Sequence, residues 1–242
     1  MLNAIAKPRG SVLVVSAIAP ICLGLLLGGG GTFSRQSPTK SDIKIINKTT
    51  TLELASIRAT DHNHLVFVFK NLSSKDLNGY AIAVNGARIT VDISSGDRAV
   101  NPGETDAIEI PGDSSPPQVT ILAAMFADGS IEGDPVVVAK LKEWRLGLKK
   151  QLTRALSVLN ETLESQDVNA DAALDRLESQ FSSFPLESDN AQAPSRGLRD
   201  GRDDLMTDIQ MLRERRHRQG SLNQEKRLLE LKGRIERRIA RL

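Results

Sequence analysis

The sequence predicts an α+β protein with segregated strands and helices: an antiparallel immunoglobulin-like β-sandwich, preceded by an N-terminal hydrophobic helix and followed by an α-helical hairpin or coiled-coil tail. Three observations predict this class. Residues 11–28 are uncharged and apolar, short strand-like segments separated by turn residues fill residues 43–138, and apolar residues recur at helical spacing thereafter. Because the strands do not alternate with helices, a parallel α/β sheet is disfavoured.

The net charge of +2 conceals four blocks of different sign along the 242 residues. Residues 1–40 carry four basic and no acidic side chains, and residues 41–135 carry seven basic and thirteen acidic ones. Residues 136–195 carry seven basic and nine acidic side chains, and residues 196–242 carry fourteen basic and eight acidic ones. Such blocks are typical of segments that face different surroundings. We expect the acidic middle and the basic end to attract each other, within one chain or between chains.

The residue types that most enzymes need are scarce or lack the necessary spacing. One cysteine excludes an intrachain disulfide framework and a cysteine-rich zinc site, and three histidines leave little material for a histidine-based site. The sequence has no phosphate-binding glycine loop, no G-x-S-x-G elbow and no H-E-x-x-H motif. We therefore predict a protein that is not an enzyme, without catalytic residues, cofactor or bound metal.

The first element, residues 1–31, is predicted to be a signal peptide or a signal-anchor transmembrane helix. Lys7 and Arg9 precede the uncharged stretch at 11–28, which as a helix is about 27 Å long and matches the ~30 Å core of a bilayer. Residues 32–42 are polar and typical of a linker. We expect a single-pass cell-membrane protein with its bulk outside the cytoplasm, or, after cleavage, a secreted or periplasmic protein.

Residues 43–138 are predicted to form the β-sandwich, because turn signals recur every 8–12 residues through them. Asn85 and Gly86 predict a two-residue hairpin turn, since both accept positive φ. The Cys…Trp…Cys core of antibody domains is absent, so the expected likeness is to the sandwich architecture alone. The predicted strands are Thr51–Arg58, His64–Lys70, Tyr80–Val84, Ile89–Ile93, Ala107–Ile110, Gln118–Phe126 and Val136–Val138.

Three segments of this region carry a resemblance. They are Asn71–Val84 (NLSSKDLNGYAIAV), Asn101–Gly103 (NPG) and Met125–Asp134 (MFADGSIEGD). Together they resemble a group of uncharacterised exported bacterial proteins with an N-x-S-x-K-x-(I/L) strand–turn–strand and an F-x-D-G-S-x-E-G-D loop before a C-terminal helix. The resemblance covers roughly residues 45–150. It implies export and a small β-domain, and it implies no activity. Asn78 stands where Ala or Thr is more usual in that group.

The last third is predicted to be helical. In residues 139–184, apolar side chains recur every three or four positions, and Asp167 or Asn169 is a candidate cap for a second helix. Residues 185–201 contain two prolines and two serines among charged residues and are predicted to be a loop. Residues 202–242 are predicted to form a basic helical tail of two helices separated by Gly220, pairing as a hairpin or coiled coil, within one chain or between chains.

Two groups of charged residues are candidate functional sites. The loop with Asp128, Glu132 and Asp134 partly resembles a calcium loop, but its twelfth position is Ala139, so a hairpin loop is the simpler interpretation. The basic residues of the tail are candidates for binding a partner, although a solvated helix face with i,i+4 ion pairs is the alternative. These residues are Arg213, Arg215, Arg216, Arg218, Arg234, Arg237 and Arg238.

The function that these features predict is a non-enzymatic envelope protein, membrane-anchored or secreted, that acts as a binding or interaction module. The expected partners are a protein, or a second copy of the chain through the C-terminal helices, and the membrane through residues 11–28. Export argues against nucleic acid as a partner. The alternatives are an envelope-associated enzyme accessory and a lipid- or nucleic-acid-binding protein that uses its basic C-terminal helix.

Overall fold

The structure is a computed structural model that describes residues 43–60, 64–94, 99–112, 116–165, 170–186, 195–219 and 224–242. These residues form an α+β protein with eight strands and four helices. The strands make one mixed and one antiparallel sheet. The predicted hydrophobic helix and linker, residues 1–42, lie outside the described residues. Among the described helices, none has the length and apolar composition needed to cross a membrane.

The strands are divided between two sheets. The first sheet has the order β1-β7-β4-β5, and β8 pairs with β7; the second has the order β2-β3-β6. β1 runs parallel to β7, and the remaining pairs are antiparallel. The strands are β1 (Lys44–Asn47), β2 (Leu52–Ala59), β3 (His64–Asn71), β4 (Leu77–Val84), β5 (Ala87–Asp92), β6 (Thr105–Pro111), β7 (Gln118–Phe126) and β8 (Ile131–Gly133).

One hydrophobic core joins the two sheets, because inward-facing residues of both belong to the same cluster. The rings of Phe69 on β3 and Tyr80 on β4 pack with their centroids 4.9 Å apart. The Tyr80 hydroxyl donates a hydrogen bond of 2.8 Å to Asp106 Oδ2 on β6, which ties one sheet to the other. Burial, together with the Asp106 carboxylate, raises the pKa of Tyr80 far above its usual value.

The four helices share a second core. α1 lies at its centre, because it contacts the three other helices as well as β7 and β8. The apolar stripe of the last helix, which was expected to pair as a hairpin or coiled coil within one chain or between chains, packs into this core within the chain through Leu228, Leu231 and Ile235. The helices are α1 (Pro135–Glu164), α2 (Ala170–Ser182), α3 (Arg196–Gln219) and α4 (Gln224–Arg241).

Two sequence predictions about element type are wrong. Val136–Val138 do not form a strand but the first turn of α1, because Asp134 accepts hydrogen bonds from the backbone N–H groups of Val136 and Val137 and so caps the helix. The residues before them, Ile131–Gly133, form β8. The predicted loop 185–201 is also too long, since α3 already begins at Arg196.

Glycines explain the second error. A Cβ on Gly197 would overlap the backbone carbonyl oxygen of Trp144 in α1, and a Cβ on Gly147 would lie 2.9 Å from the Leu198 backbone nitrogen. The glycines therefore allow the backbones of α1 and α3 to touch, rather than breaking a helix. The local sequence alone favours a loop, whereas the helix crossing requires these residues to be small.

Candidate functional site

The first candidate site is a depression where the β-domain meets the helices, which we call the junction groove. It is open to solvent and encloses about 760 Å³, its mouth included. β5, α1 and the start of α3 each contribute side chains. The groove is lined by Arg88, Thr90, Val137, Lys140, Leu141, Glu143, Trp144, Ser195 and Arg196.

The β-domain wall of the groove comes from a hairpin. Asn85 and Gly86 have φ values of 50° and 83°, which makes the β4–β5 connection the two-residue turn that the sequence predicts. In this register Ala81 pairs with Thr90 on β5, so both side chains lie on the same face of the sheet. β5 is the last strand of its sheet. The groove therefore lies beside a sheet edge.

The α1 wall lies over that same face of the sheet. Val137 and Leu141 pack against Ala81, Ala123 and Met125 of β4 and β7. The two alanines are fully buried, and their small side chains let the helix approach the sheet closely. The helix begins directly after β8 because Asp134 caps it, so the β-domain fixes where the apolar wall of the groove lies.

The third wall is the first turn of α3. Asp200 Oδ2 accepts a hydrogen bond of 2.9 Å from Trp144 Nε1 and one of 3.3 Å from Arg196 Nε. These bonds hold the indole ring and the guanidinium on one side of the groove. Gly147 lets Ser195 sit against α1, since a Cβ there would lie 2.8 Å from the Ser195 hydroxyl.

The charge of the groove is positive. Arg88, Lys140 and Arg196 face it together with a single carboxylate, Glu143. Asp200 pairs with Arg196, but no ion pair involves Arg88 or Lys140 within the described ranges. An apolar wall with these two cations beside it suits a ligand that carries both apolar groups and negative charge.

The predicted functional loop has a structural role at each of its three acids. Asp128 forms an ion pair of 2.6 Å with Lys75 and accepts hydrogen bonds from Ser130, and these contacts hold the pKa of its carboxyl well below the usual range. Asp134 caps α1. In the described part of the chain, no group of three or more His, Cys, Asp or Glu residues is arranged to hold a metal ion.

Glu132 ties this loop to the turn before β2. Its carboxylate accepts hydrogen bonds from the backbone N–H and the hydroxyl of Thr50. Burial raises the pKa of Glu132, but the backbone N–H of Thr50 and the hydroxyls of Thr51 and Thr50 outweigh burial and leave the pKa below its usual value. The three acids therefore point to three different partners and do not converge on one point.

The three motif segments of the sequence meet at one corner of the β-domain. The Asn71 side chain donates hydrogen bonds of 2.8 Å to the carbonyls of Lys75 and Val100, and its backbone carbonyl accepts one from Gly103. Lys75 in turn contacts Asp128 and lies over the Phe126 ring, 5.8 Å from its centroid. The motifs thus serve the fold. A second, shallower groove lies here, lined by Thr51, Ser73, Ser74, Lys75, Phe126, Ser130, Ile131 and Glu132.

Two of the three histidines, His62 and His64, lie two residues apart in the sequence. His62 lies outside the described residues, and His64 Nδ1 lies 2.9 Å from Glu109 Oε1 on the neighbouring strand. This is a cross-strand contact at an exposed position, and among the described residues His64 belongs to no group of three or more His, Cys, Asp or Glu that could hold a metal ion.

Several arginines of the predicted partner-binding set form ion pairs within the chain. Arg213 contacts Asp175 and Glu178 of α2, and Arg234 contacts Asp208 of α3 at 2.9 Å. Burial raises the pKa of Asp208 despite this pair. Arg218 makes an i,i+4 pair with Glu214 on the surface. Arg215 and Arg237 are exposed and Arg216 is half-buried, so their role in partner binding stays a prediction.

Arg238 joins the helices to the β-domain. It donates hydrogen bonds of 2.9 Å to Asp92 at the end of β5 and 2.8 Å to Asp204 on α3. Burial lowers the pKa of Arg238, but the two carboxylates outweigh burial and raise it, while burial raises the pKa of Asp204. Asp92 belongs to the acidic block 41–135 and Arg238 to the basic block 196–242, so their ion pair is an attraction between these two blocks within one chain.

Asn78 links the β-domain to two helices, and no sequence motif predicts this role. It is fully buried, its side-chain carbonyl accepts a hydrogen bond from Arg145 of α1, and its side-chain amide donates one of 2.6 Å to the Arg241 carbonyl of α4. Burial lowers the pKa of Arg145, while Asp92 opposes this shift. The only sequence signal was that Asn is unusual at this position of the resembling group.

Comparison of the chain with protein families, with curated proteins and with solved structures found no match in any of the three. The assignment of a function therefore depends on the sequence and the geometry described above.

Proposed function

We propose that this chain is a non-enzymatic interaction protein of a bacterial cell envelope and that the junction groove is its binding surface. In this proposal residues 11–28 anchor the chain in the membrane or direct its export. The observation that carries the proposal is the groove itself. A β-sheet edge and two helices meet there beside the apolar wall of α1, together with Arg88 and Lys140, which form no ion pair within the described residues.

We also propose that the two sheets are an immunoglobulin-like sandwich. The strand orders support this if β2 to β8 correspond to strands A, B, C, C′, E, F and G of that fold. One sheet is then A-B-E and the other is C′-C-F-G. In such domains, loops and edges carry binding while the sandwich itself is a scaffold.

The alternative of a lipid- or nucleic-acid-binding tail has less support than binding at the groove. Arg213, Arg234 and Arg238 are already paired with carboxylates of the same chain. Self-association through the tail also has less support, since the apolar stripe of α4 packs against the other helices. A free docking tail would keep these groups available for a partner.

Two experiments test location and activity. A reporter enzyme that is active only outside the cytoplasm is fused to the C-terminus of the full chain, and we expect it to be active, with the product found in the membrane or secreted fraction. The purified full chain is then screened against a broad panel of hydrolase substrates. An inactive reporter on a fusion that is expressed at full length, or robust turnover of a substrate, would contradict the proposal.

Binding at the groove is tested in cells by site-specific photocrosslinking. A photoreactive amino acid replaces Lys140, which lines the groove, or Lys142, which is also exposed on α1 but does not line it. We expect a discrete crosslinked product from position 140 and none from position 142. The same product from both positions, or from neither, would count against the groove as the binding surface.

A further inference from the structure

We propose that the junction groove binds an acidic peptide segment in extended conformation, which adds as a further strand to the free edge of β5. This inference rests on the proposed function and names the chemistry of the partner. It combines three observations. β5 is an edge strand with outward-facing backbone groups, two cations beside that edge have no ion pair among the described residues, and an apolar wall faces the edge.

The backbone of β5 is suited to strand addition. The two-residue turn makes Val84 and Ala87 a hydrogen-bonded pair, so Ala87, Ile89 and Val91 direct their N–H and C=O groups towards β4. The backbone N–H and C=O groups of Arg88 and Thr90 then point away from β4, towards the open edge of the sheet. Within the described residues, no strand pairs with this side of β5. Such an edge is a template for another strand.

The side chains at the edge select for acidic residues. Successive side chains of an added strand alternate between the two faces of the sheet, so every second one enters the groove. Those residues meet Arg88, Lys140 and Arg196, against the single carboxylate Glu143. Charge complementarity therefore favours aspartate or glutamate at alternate positions of the ligand.

The apolar surfaces near β5 give the remaining positions of the ligand a partner. Ile89 and Val91 of β5 are half-buried at the edge of the main core, on the face opposite to the groove. Within the groove, Leu141 and Trp144 form the wall of α1, where the methylene groups of the acidic side chains would pack. An alternating acidic and β-branched peptide satisfies both faces, whereas a lipid headgroup or a free carboxylate uses only the cations.

The test uses the single tryptophan of the chain, Trp144, whose emission reports on the groove without a label. The full chain in non-ionic detergent is titrated with a peptide of alternating glutamate and valine. We expect a saturable change in emission. Arg88→Glu or Lys140→Glu should weaken binding by about tenfold, and Lys142→Glu, the matched control on α1, should leave it unchanged.

Two peptide series separate strand addition from simple charge attraction. Replacing glutamate with lysine should abolish binding. N-methylation of every second amide should abolish binding in one frame and be tolerated in the other, because only alternate amides face β5. Equal binding of both methylated frames would overturn strand addition, and so would binding of the lysine peptide.

Competing occupants give different results. Anionic phospholipid vesicles that change Trp144 emission while the peptide does not would overturn the proposal in favour of a lipid surface. A dimer in analytical ultracentrifugation that Arg88→Glu dissociates would assign the edge to a second copy of the chain. If the peptide fails while the crosslink at position 140 persists, this inference fails but the proposed function does not.

Discussion

The crossing of α1 and α3 gives a sharp prediction about the groove, because Gly197 fixes how closely its walls approach. Replacing Gly197 with alanine places a methyl group against three backbone atoms of α1, among them the Trp144 carbonyl carbon at 2.8 Å and the Leu148 nitrogen at 2.9 Å. Backbone atoms of a packed helix do not move aside as a flexible side chain does. The two helices must therefore separate, and Ser195 and Arg196 then move away from Trp144.

The expected magnitude follows from the contacts along this crossing. Leu148 and Leu198 are buried there, and each contributes about 2 kcal/mol to stability. A gap of 0.5–1 Å forfeits about a quarter to a half of such contact energy, and overpacking adds about 1–3 kcal/mol of strain. The higher helix propensity of alanine offsets up to about 1 kcal/mol of this loss. We expect Gly197→Ala to lower the free energy of unfolding by about 2 kcal/mol.

Gly233→Ala is the matched control, because the same substitution in α4 meets only the flexible end of Arg237, at 3.3 Å. Here helix propensity dominates, and we expect a gain of up to about 1 kcal/mol. Urea unfolding of the full chain, followed by circular dichroism at 222 nm, measures both variants, with unchanged slopes required for the comparison. Stabilisation of Gly197→Ala to the extent of the control would refute the close crossing of α1 and α3.

Three further predictions concern the scaffold around the groove. Asp134→Ala should cost about 1 kcal/mol of stability, whereas Asp134→Asn should cost little, because asparagine also caps helices; thermal unfolding distinguishes them. Tyr80 should not ionise near its ordinary pKa of 10.0 while the protein is folded. Because the pKa of Tyr80 is raised in the folded protein, this residue leaves stability constant below pH 10.0 and lowers it above that pH. Ultraviolet titration of this single tyrosine measures its ionisation. Tyr80→Phe should cost about 1–2 kcal/mol of stability if the hydrogen bond to Asp106 is present. Arg238→Ala should cost about 3 kcal/mol, and a double-mutant cycle with Asp92→Asn should show strong coupling, whereas additive effects would mean that the pair contributes nothing.

The strands were predictable where the local pattern and the tertiary environment agree. The apolar residues of His64–Asn71 favour a buried strand, and β3 lies between β2 and β6 in its sheet. The turn at Asn85 and Gly86 depends on backbone conformations that few other residue pairs accept, so it was predictable from two residues. In both cases the information lies within a few neighbouring residues.

The parts that were not predictable depend on contacts between distant residues. Val136–Val138 are β-branched and favour a strand locally, but the cap at Asp134 and packing on Ala81 and Ala123 make them helical. Gly197 favours a loop locally and is required by a helix 50 residues earlier in the chain. Short-range patterns contain no information about such partners.

The groove itself could not be inferred from the sequence for the same reason. Arg88, Lys140 and Arg196 come from three elements and belong to no motif, so only the fold brings them together. The arginines within residues 213–218 of the tail stand out in the sequence because they lie close together along the chain. In the structure, Arg213, Arg218, Arg234 and Arg238 of the tail pair with acids of the same chain, whereas cations from separate elements line the groove.

Residue-resolved amide exchange tests the central claim, strand addition to β5, most directly. With the glutamate–valine peptide bound to the full chain, the outward-facing N–H groups of Arg88 and Thr90 should become protected from exchange. The N–H groups of Ile89 and Val91, which already face β4, should be protected with and without peptide. Unchanged exchange at Arg88 and Thr90, under conditions where Trp144 emission shows that the peptide is bound, would contradict it.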